Sequence, residues 1–154
     1  MIEIRPGRRS DAESISVLLT CLAVKYIANS FNDEGRTNLL NSMTLEAIEG
    51  FFDDGFRYHI GEIDGEIVGV VGTRDDSHLF HLFVDDRFQG NGFSSQLWEV
   101  GMNACLESGN NPGYFTVNSS LNAQHVYQQW GFVPEGGIRE GGGVKDQPMR
   151  LALN

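Results

Sequence analysis

The hydrophobic residues of this chain recur with two different spacings, one typical of helices and the other of strands. A short strand is predicted in "IEIRP", which Pro6 ends, and Ser10 or Asp11 can then cap a helix. The apolar face of that helix consists of Ile15, Leu18, Leu19 and Leu22. The pattern is weaker from Lys25 to Asp54, where one further helix is predicted from Thr44 to Phe52. Its apolar face consists of Leu45, Ile48, Phe51 and Phe52.

The middle of the chain follows the period of β-strands. "FRYHIGEIDGEIVGVVGTRD" contains two β-rich runs joined by Asp64-Gly65, a residue pair that favours a two-residue hairpin turn. A third run, "SHLFHLFV", follows them. We therefore expect three strands in succession.

Two helices alternate with strands in the rest of the chain. The first is predicted from Phe93 to Glu107, with an apolar face made of Phe93, Leu97, Val100 and Ala104. A strand in "GYFTVN" separates it from a short helix in "NAQHVYQQWGF", which Gly131 is placed to end. Closing strands are predicted near residues 132–139 and 147–153. The order β-α-α-β-β-β-α-β-α-β-β predicts an α/β fold, a mixed sheet covered by helices.

The chain has 154 residues, enough for one domain over residues 1–154. Its 11 Lys and Arg residues against 21 Asp and Glu residues give a net charge of −10. This balance argues against nucleic-acid binding, which needs basic side chains to displace counterions from phosphates. The acidity would suit a cationic substrate, although it equally serves solubility.

The cysteines and the hydropathy of the chain indicate whether to expect a metal site, a signal peptide or a membrane span. Cys21 and Cys105 lie in apolar helical segments without a CxxC motif or a Cys/His cluster, so we expect buried thiols and no metal site. The start "MIEIRPGRRSDAES" lacks the apolar segment of a signal peptide, and no run approaches the roughly 18 apolar residues of a membrane span. A cytoplasmic protein that binds no membrane is the expectation.

The stretch "VDDRFQGNGFSSQL", Val84 to Leu97, places glycines where a strand passes into a helix. The first backbone N–H groups of a helix lack intrahelical partners, and the helix dipole adds partial positive charge there. Gly90 and Gly92 remove side chains that would keep an anion away, and Arg87 adds a cation. The stretch is therefore either a plain capped turn or a seat for a diphosphate.

Two common phosphate loops do not fit this stretch. A Walker loop would need Gly-Lys-Ser or Gly-Lys-Thr at a fixed spacing, and a dinucleotide fingerprint would need a third glycine. An anion bound here must belong to another cofactor.

"LFVDDRFQGNGFSSQL" resembles the acyl-CoA loop of the GNAT superfamily of N-acetyltransferases, Q/R-x-x-G-x-G/A after a strand that ends in Val. The match is Gln89-x-x-Gly92-x-Ser94, with Ser in place of Gly or Ala at the last position. An offset match, Arg87-x-x-Gly90-x-Gly92, also fits the letters, but the first one spaces Val84 properly before the loop.

A second segment, "TVNSSLNAQHVYQQWGF", resembles the later family pattern N-x-x-A-x-x-x-Y-x-x-x-G-F. Ala123, Tyr127, Gly131 and Phe132 fill its positions. Together the similarities cover residues 56–153, while residues 25–54 match only loosely. The resemblance implies a single-domain GNAT fold, with a central mixed, mostly antiparallel sheet of about six to seven strands flanked by helices.

The resemblance also implies an acetyltransferase in which an amine attacks the thioester of acetyl-CoA directly, without an acyl-enzyme. It places the hydroxyl of Tyr127 near the thioester sulfur as a proton donor, although helical spacing alone would assign Tyr127 to the core. Asn122 either reaches the cofactor or caps its helix. The remaining residues expected to bind the cofactor are Leu82, Phe83 and Val84 through their backbone, and Gln89, Gly90, Asn91, Gly92, Phe93, Ser94 and Ser95 in the loop.

The general base is less constrained by the sequence. Period-two alternation would place Asp76, His78 and Phe80 on one strand face, and family members often hold a Glu or His near the first two positions. His78 has an ordinary pKa of about 6.5, which suits a base. His81 would point to the opposite face unless a bulge intervenes, and Glu62 or an ordered water are further candidates.

The acceptor stays open between a small amine and a protein amine, and the alternative to an enzyme is a non-catalytic CoA-binding sensor or regulatory module. The resemblance makes a homodimer through the closing strands conceivable, while the sequence leaves the oligomeric state undetermined.

Overall fold

The computed structural model describes residues 2–27, 32–141 and 143–153, and one mixed sheet includes strands from all three ranges. The helices are α1 (Ala12–Leu22), α2 (Asp33–Asn41), α3 (Leu45–Asp53), α4 (Phe93–Glu107) and α5 (Gln124–Gln129). The strands are β1 (Glu3–Pro6), β2 (Arg57–Ile63), β3 (Glu66–Arg74), β4 (His78–Val84), β5 (Tyr114–Ser119), β6 (Val133–Pro134), β7 (Arg139–Gly141) and β8 (Val144–Ala152). The strand order is β1-β2-β3-β4-β5-β8-β6, with β7 paired on β8. The predicted α/β fold is confirmed, and the sheet is slightly larger than expected because short pieces of strand flank β8.

The hairpin between β2 and β3 forms as the sequence predicts. Asp64 and Gly65 connect the strands with φ angles of 52° and 80°, the left-handed pair that a type I′ turn requires. Ile63 and Glu66 face each other directly across the turn.

Helices cover both faces of the sheet, and each face has its own hydrophobic cluster. On one face α4 packs through Leu97, Trp98, Gly101 and Cys105, which are buried. Of the predicted stripe, Leu97 is fully buried and Phe93 is partly buried against the same cluster, and the rest of the buried face is rotated by about one residue from the expected one. Gly101 lets α4 approach β3 closely, since a Cβ there would lie 3.3 Å from the methyl groups of Val71.

On the other face, α1 and α3 pack against β2 and β3. Thr44 caps α3 as predicted, its hydroxyl accepting a hydrogen bond of 3.1 Å from the N–H of Ala47. Of the predicted apolar face, Ile48 is fully buried, but Leu45 is exposed, so its inclusion was wrong. Cys21 is exposed as well, contrary to expectation, whereas Cys105 is buried.

Two segments differ from the predicted element order. Helix α2 was missed because its residues are mostly polar, and Asn32 caps it by accepting a hydrogen bond of 2.9 Å from Gly35 N–H. The first closing strand was predicted over 132–139, but only Val133–Pro134 and Arg139–Gly141 pair with β8. Within the described ranges, none of the helices has the length and apolarity needed to cross a bilayer.

The contact between β4 and β5 is the feature that creates a site. It is parallel and only two residue pairs long, His78 with Thr116 and Leu79 with Val117. Beyond Leu79 the two strands separate, and β5 continues beside β8 as far as Ser119. The rest of β4 therefore presents an open edge to a cleft in the middle of the sheet.

Candidate active site

The open edge of β4 has a defined hydrogen-bonding pattern. The N–H of Asp85 donates to Val68 O at 2.7 Å, so the Asp85–Val68 pair is of the hydrogen-bonded type. Because such pairs alternate along an antiparallel ladder, the Phe83–Val70 pair is of the same type. The backbone groups of Leu82 and Val84 consequently point away from β3 and into the cleft, while those of Phe83 do not. Of the three residues expected to contact a cofactor through their backbone, Leu82 and Val84 thus have backbone groups that face the cleft, and Phe83 does not.

The loop after β4 is shaped by its glycines and by Gln89. Gly90 and Gly92 have φ angles of 83° and 76°, and Gly92 is the N-cap of α4. The side chain of Gln89 donates from Nε2 to Val84 O at 3.0 Å, which ties the loop back to the end of β4. A Cβ at either glycine would meet no atom within 4 Å, so the space beside this backbone is empty.

The side chains of three residues of this stretch are held by other parts of the protein or by the loop backbone. Asn91 donates from Nδ2 to Phe88 O at 3.0 Å, and Ser95 accepts from Trp130 Nε1 at 3.2 Å. The guanidinium of Arg87 binds Asp85 at 2.9 Å and Glu66 at 2.6 Å. Arg87 lines neither of the two cavities described next, so the cation expected from the sequence is not at the site.

A cavity of about 820 Å³ lies between this loop and the segment before α5. Its lining includes the predicted residues Leu82, Val84, Gln89, Gly90, Gly92, Phe93, Ser94 and Asn122. Lys145, from β8, also lines it and was not predicted. The sequence did not indicate that Lys145 would line a cavity, because Lys145 follows a glycine-rich stretch that matches no motif. We call this space the loop cavity.

A second cavity of about 510 Å³ lies on the other side of the β4 edge, and we call it the acceptor cavity. The residues that it shares with the loop cavity are Leu82, Val84, Gln89, Ser120, Ala123, Tyr127 and Lys145. Its outer wall consists of Leu22, the last residue of α1, and of Leu39, Ser42 and Met43, which lie in a part of the chain to which the sequence assigned no element. The two cavities thus meet along the open edge of β4.

Tyr127 stands at this junction, since it lines both cavities. Its ring packs edge-on against Trp130 and Phe132, with centroids 5.6 Å and 5.8 Å away. Burial raises the pKa of the phenol to about 12, so the hydroxyl is protonated throughout the neutral range. Tyr127 therefore fits both interpretations of its position in α5: its ring packs in the hydrophobic core, and the residue also lines both cavities.

A bulge in β4 brings two histidines to one cavity. His81 faces Gly72 of β3 while Leu79 faces Thr73, so Phe80 is an extra residue in the strand. The extra residue reverses the alternation, and His78 and His81 both line the acceptor cavity. The strand pattern predicted that His81 would lie on the opposite face from His78 unless a bulge intervened, and this bulge is present.

Both imidazoles are neutral at pH 7. Burial, with a smaller effect from the nearby Arg74 charge, lowers the pKa of His78 to about 4. Its Nδ1 lies 2.7 Å from Thr116 Oγ1. Burial alone lowers the pKa of His81 to about 3, and its Nδ1 lies 3.0 Å from the hydroxyl of Tyr58.

The two carboxylate candidates lie elsewhere. Asp76 is not in β4 but in the turn before it, with a φ of 52°, and its carboxylate binds Arg57 at 3.0 Å. The expectation that Asp76 shares a strand face with His78 is wrong, because the strand begins only at His78. Glu62 binds Arg5 at 2.6 Å beside β1. Neither residue lines either cavity.

Metal ligation has no visible basis at this site. Among the described residues, no three His, Cys, Asp or Glu side chains lie close enough together to hold an ion.

Comparisons with known proteins agree with this geometry. The family model described as an acetyltransferase (GNAT) domain matches residues 27–153. No curated protein matches the sequence. A GCN5-related N-acetyltransferase from Rhodopseudomonas palustris superimposes with a TM-score of 0.83 at 19% identity, over 98% of this chain and 95% of that chain.

Two further solved structures were obtained with a bound cofactor. The PaiA N-acetyltransferase from Thermoplasma acidophilum, in complex with coenzyme A, gives a TM-score of 0.79 at 14% identity over 99% of both chains. YncA from Salmonella typhimurium, with its cofactor acetyl-CoA, gives 0.70 at 18% identity over 99% of this chain and 94% of that chain. At these identities the likeness shows a shared fold.

Proposed function

Since the chain belongs to the GNAT acetyltransferase family, we propose that it transfers an acetyl group from acetyl-CoA to a primary amine within a ternary complex. The observation that supports this most is the pair of cavities that meet along the open edge of β4 and share Tyr127. A module that only bound the cofactor would need the loop cavity alone. The acceptor cavity favours an enzyme over the non-catalytic alternative.

The loop cavity suits coenzyme A because each part of it offers the matching chemistry. The outward backbone groups of Leu82 and Val84 can pair with the pantetheine amides as an added strand would. The unpaired N–H groups at the start of α4 can hold the diphosphate, with Gly90 and Gly92 leaving room for it. Asn122 and Lys145 complete the wall.

The reaction is a direct displacement. The nitrogen lone pair of the amine attacks the thioester carbonyl carbon, the carbon–nitrogen bond forms, and the carbon–sulfur bond then breaks. The electron pair of that bond leaves on the sulfur as a thiolate, which gains a proton to give free coenzyme A. The nitrogen loses one proton as the ammonium becomes the attacking amine and a second proton after the carbon–nitrogen bond has formed, which leaves an amide.

Tyr127 assists the leaving sulfur by donating a hydrogen bond. A thiol has a pKa of about 8.5, so complete proton transfer from a phenol whose pKa is about 12 would be uphill by about 5 kcal/mol. We infer that the phenol stabilises the developing thiolate charge and that solvent supplies the proton afterwards.

His78 is too weak a base to hold the proton of the amine. An alkylammonium has a pKa of about 10.4, so transfer of its proton to an imidazole with a pKa of about 4 is uphill by about 9 kcal/mol. We infer that the acceptor exchanges this proton with solvent and reacts as the neutral amine, which at pH 7 lies about 5 kcal/mol above the ammonium. His78 and His81 then serve as neutral hydrogen-bonding groups that orient the amine.

The test combines two measurements on the intact protein. Calorimetric titration with coenzyme A should show one saturable site, and acetyl-CoA mixed with a panel of primary amines should release free thiol in proportion to acetylated amine. Binding without any amine-dependent thiol release would establish the non-catalytic alternative. Absence of coenzyme A binding would overturn the proposal altogether.

A further inference from the structure

The acceptor cavity carries an inference about the class of amine. Resting on the acetyltransferase function proposed above, we propose that the acceptor is a small primary amine with an apolar body and no second positive charge. The overall acidity of the chain would suggest the opposite, a polycationic acceptor.

The first support is the composition of the wall that faces away from the cofactor. Leu22 of α1, Leu39 of α2 and Met43 come together there, and β4 and β5 add Phe80 and Val117. Met43, Leu22 and Val117 are 2%, 7% and 3% exposed, so the wall is continuous with the core. Such a surface stabilises an apolar group by removing it from water and offers nothing to an ammonium.

The second support is the state of the charged residues. Asp146 carries the only carboxylate among the described residues that line the cavity. Arg139 already binds it at both oxygens, with Nε to Oδ1 at 2.9 Å and Nη2 to Oδ2 at 3.0 Å. The other charged lining residue is Lys145, a cation. Among the described lining residues, a second ammonium on the acceptor would therefore meet no free carboxylate and one like charge.

The remaining polar groups do not change this balance. His78 and His81 are neutral at pH 7 because burial lowers the pKa of each. The other polar lining residues carry no charge: Ser42, Gln89, Asn118, Ser120 and Tyr127. Other carboxylates that contribute to the net charge of −10 form ion pairs outside the cavity, for example Asp11 with Arg5 and Asp53 with Arg9.

The size of the cavity suits a small molecule. A volume of about 510 Å³ is within the usual range for small-molecule sites, and the end of the pantetheine arm with its acetyl group must enter from the shared wall.

The test compares hexylamine with 1,6-diaminohexane, which have the same length and differ in the second ammonium. We expect kcat/KM for hexylamine to exceed that for the diamine at least tenfold, with phenethylamine close to hexylamine. Equal or reversed values would overturn the proposal.

A binding measurement separates this proposal from the function on which it rests. In the presence of saturating coenzyme A, hexylamine should raise the Tm and 1,6-diaminohexane should raise it less at the same concentration. A Tm shift by hexylamine without thiol release would contradict the acetyltransferase function and support the specificity. If neither amine shifts the Tm, or if the diamine shifts it more, the specificity proposal is wrong.

A variant sharpens the charge argument. Arg139→Gln should free the carboxylate of Asp146, so the preference for hexylamine over the diamine should shrink severalfold. Arg139→Lys keeps a cation beside Asp146 and should retain the preference. An unchanged ratio in Arg139→Gln, in protein whose Tm shows that it is folded, would contradict the role assigned to this ion pair.

Discussion

The loop cavity and the acceptor cavity share a wall but are built in different ways. The loop cavity uses mainly two continuous stretches, residues 82–94 and 120–127, and much of its chemistry is backbone N–H and C=O. The acceptor cavity draws side chains from α1, α2, β4, β5 and β8, which are far apart in sequence. Backbone geometry follows local rules, so the first cavity can be recognised from a motif. The second depends on how distant elements pack, so it cannot.

The largest expected difference between the two cavities is how much each makes the free energy of unfolding depend on pH, because the buried His78 and His81 line only the acceptor cavity. The pKa values of His78 and His81 are lowered to about 4 and about 3 in the folded protein, against about 6.5 unfolded. Between pH 6.5 and 4 the unfolded chain therefore binds more protons than the folded one. The free energy of unfolding should fall with decreasing pH by up to about 1.4 kcal/mol per pH unit for each histidine.

Urea unfolding between pH 7 and pH 4.5 measures this effect. His78→Gln should flatten the dependence, whereas His125→Gln, at an exposed position beside the loop cavity, should not. A slope that is the same in the two variants would show that the protonation of His78 does not oppose folding.

The next effect concerns Tyr127, one of the residues that line both cavities. Tyr127→Phe should lower kcat about 100-fold, since it removes the hydrogen bond to the leaving sulfur and leaves the ring packed. The Kd for coenzyme A should change less than twofold. Tyr114→Phe is the matched control, because Tyr114 lies on β5 under Arg150 and lines neither cavity. A kcat within twofold of the parent would make Tyr127 a packing residue.

The third effect tests the loop cavity through its backbone. Gly92→Ala should weaken coenzyme A binding about tenfold, because the added methyl group enters the space proposed for the diphosphate. Gly109→Ala is the control at the other end of α4: its φ is 78°, against 76° for Gly92, and its Cβ also meets no atom. Both variants should lose about 1 kcal/mol of stability from the left-handed backbone.

Calorimetry with coenzyme A and urea unfolding separate the two contributions. Equal stability losses with a Kd change only in Gly92→Ala would support the diphosphate position. The same Kd in both variants would remove the diphosphate from this loop.

The features that could be predicted from the sequence are those set by neighbouring residues in the chain, and the features that were missed depend on the packing of distant elements. The bounds of α4, the hairpin turn and the positions of Gln89, Gly90 and Gly92 were predicted because each depends on neighbours in the chain. The wrong expectations concern long-range relations. Arg87 was taken as a cation for the site, yet Glu66 of a neighbouring strand holds it. Likewise the bulge at Phe80 depends on how β4 pairs with β3, which no local pattern reveals.

The smallest expected effect tests the acceptor cavity by a pair of neighbours on α2. Leu39 and Leu40 are both partly buried and pack against the same hydrophobic cluster, but only Leu39 lines the acceptor cavity. Leu39→Ala should raise the KM for hexylamine about fivefold, which corresponds to about 1 kcal/mol of lost apolar contact, and leave the Kd for coenzyme A unchanged. Leu40→Ala should cost similar stability and leave both constants unchanged. If the two variants raise KM equally, α2 affects the amine only through its overall position. That result would contradict a direct contact between the side chain of Leu39 and the amine.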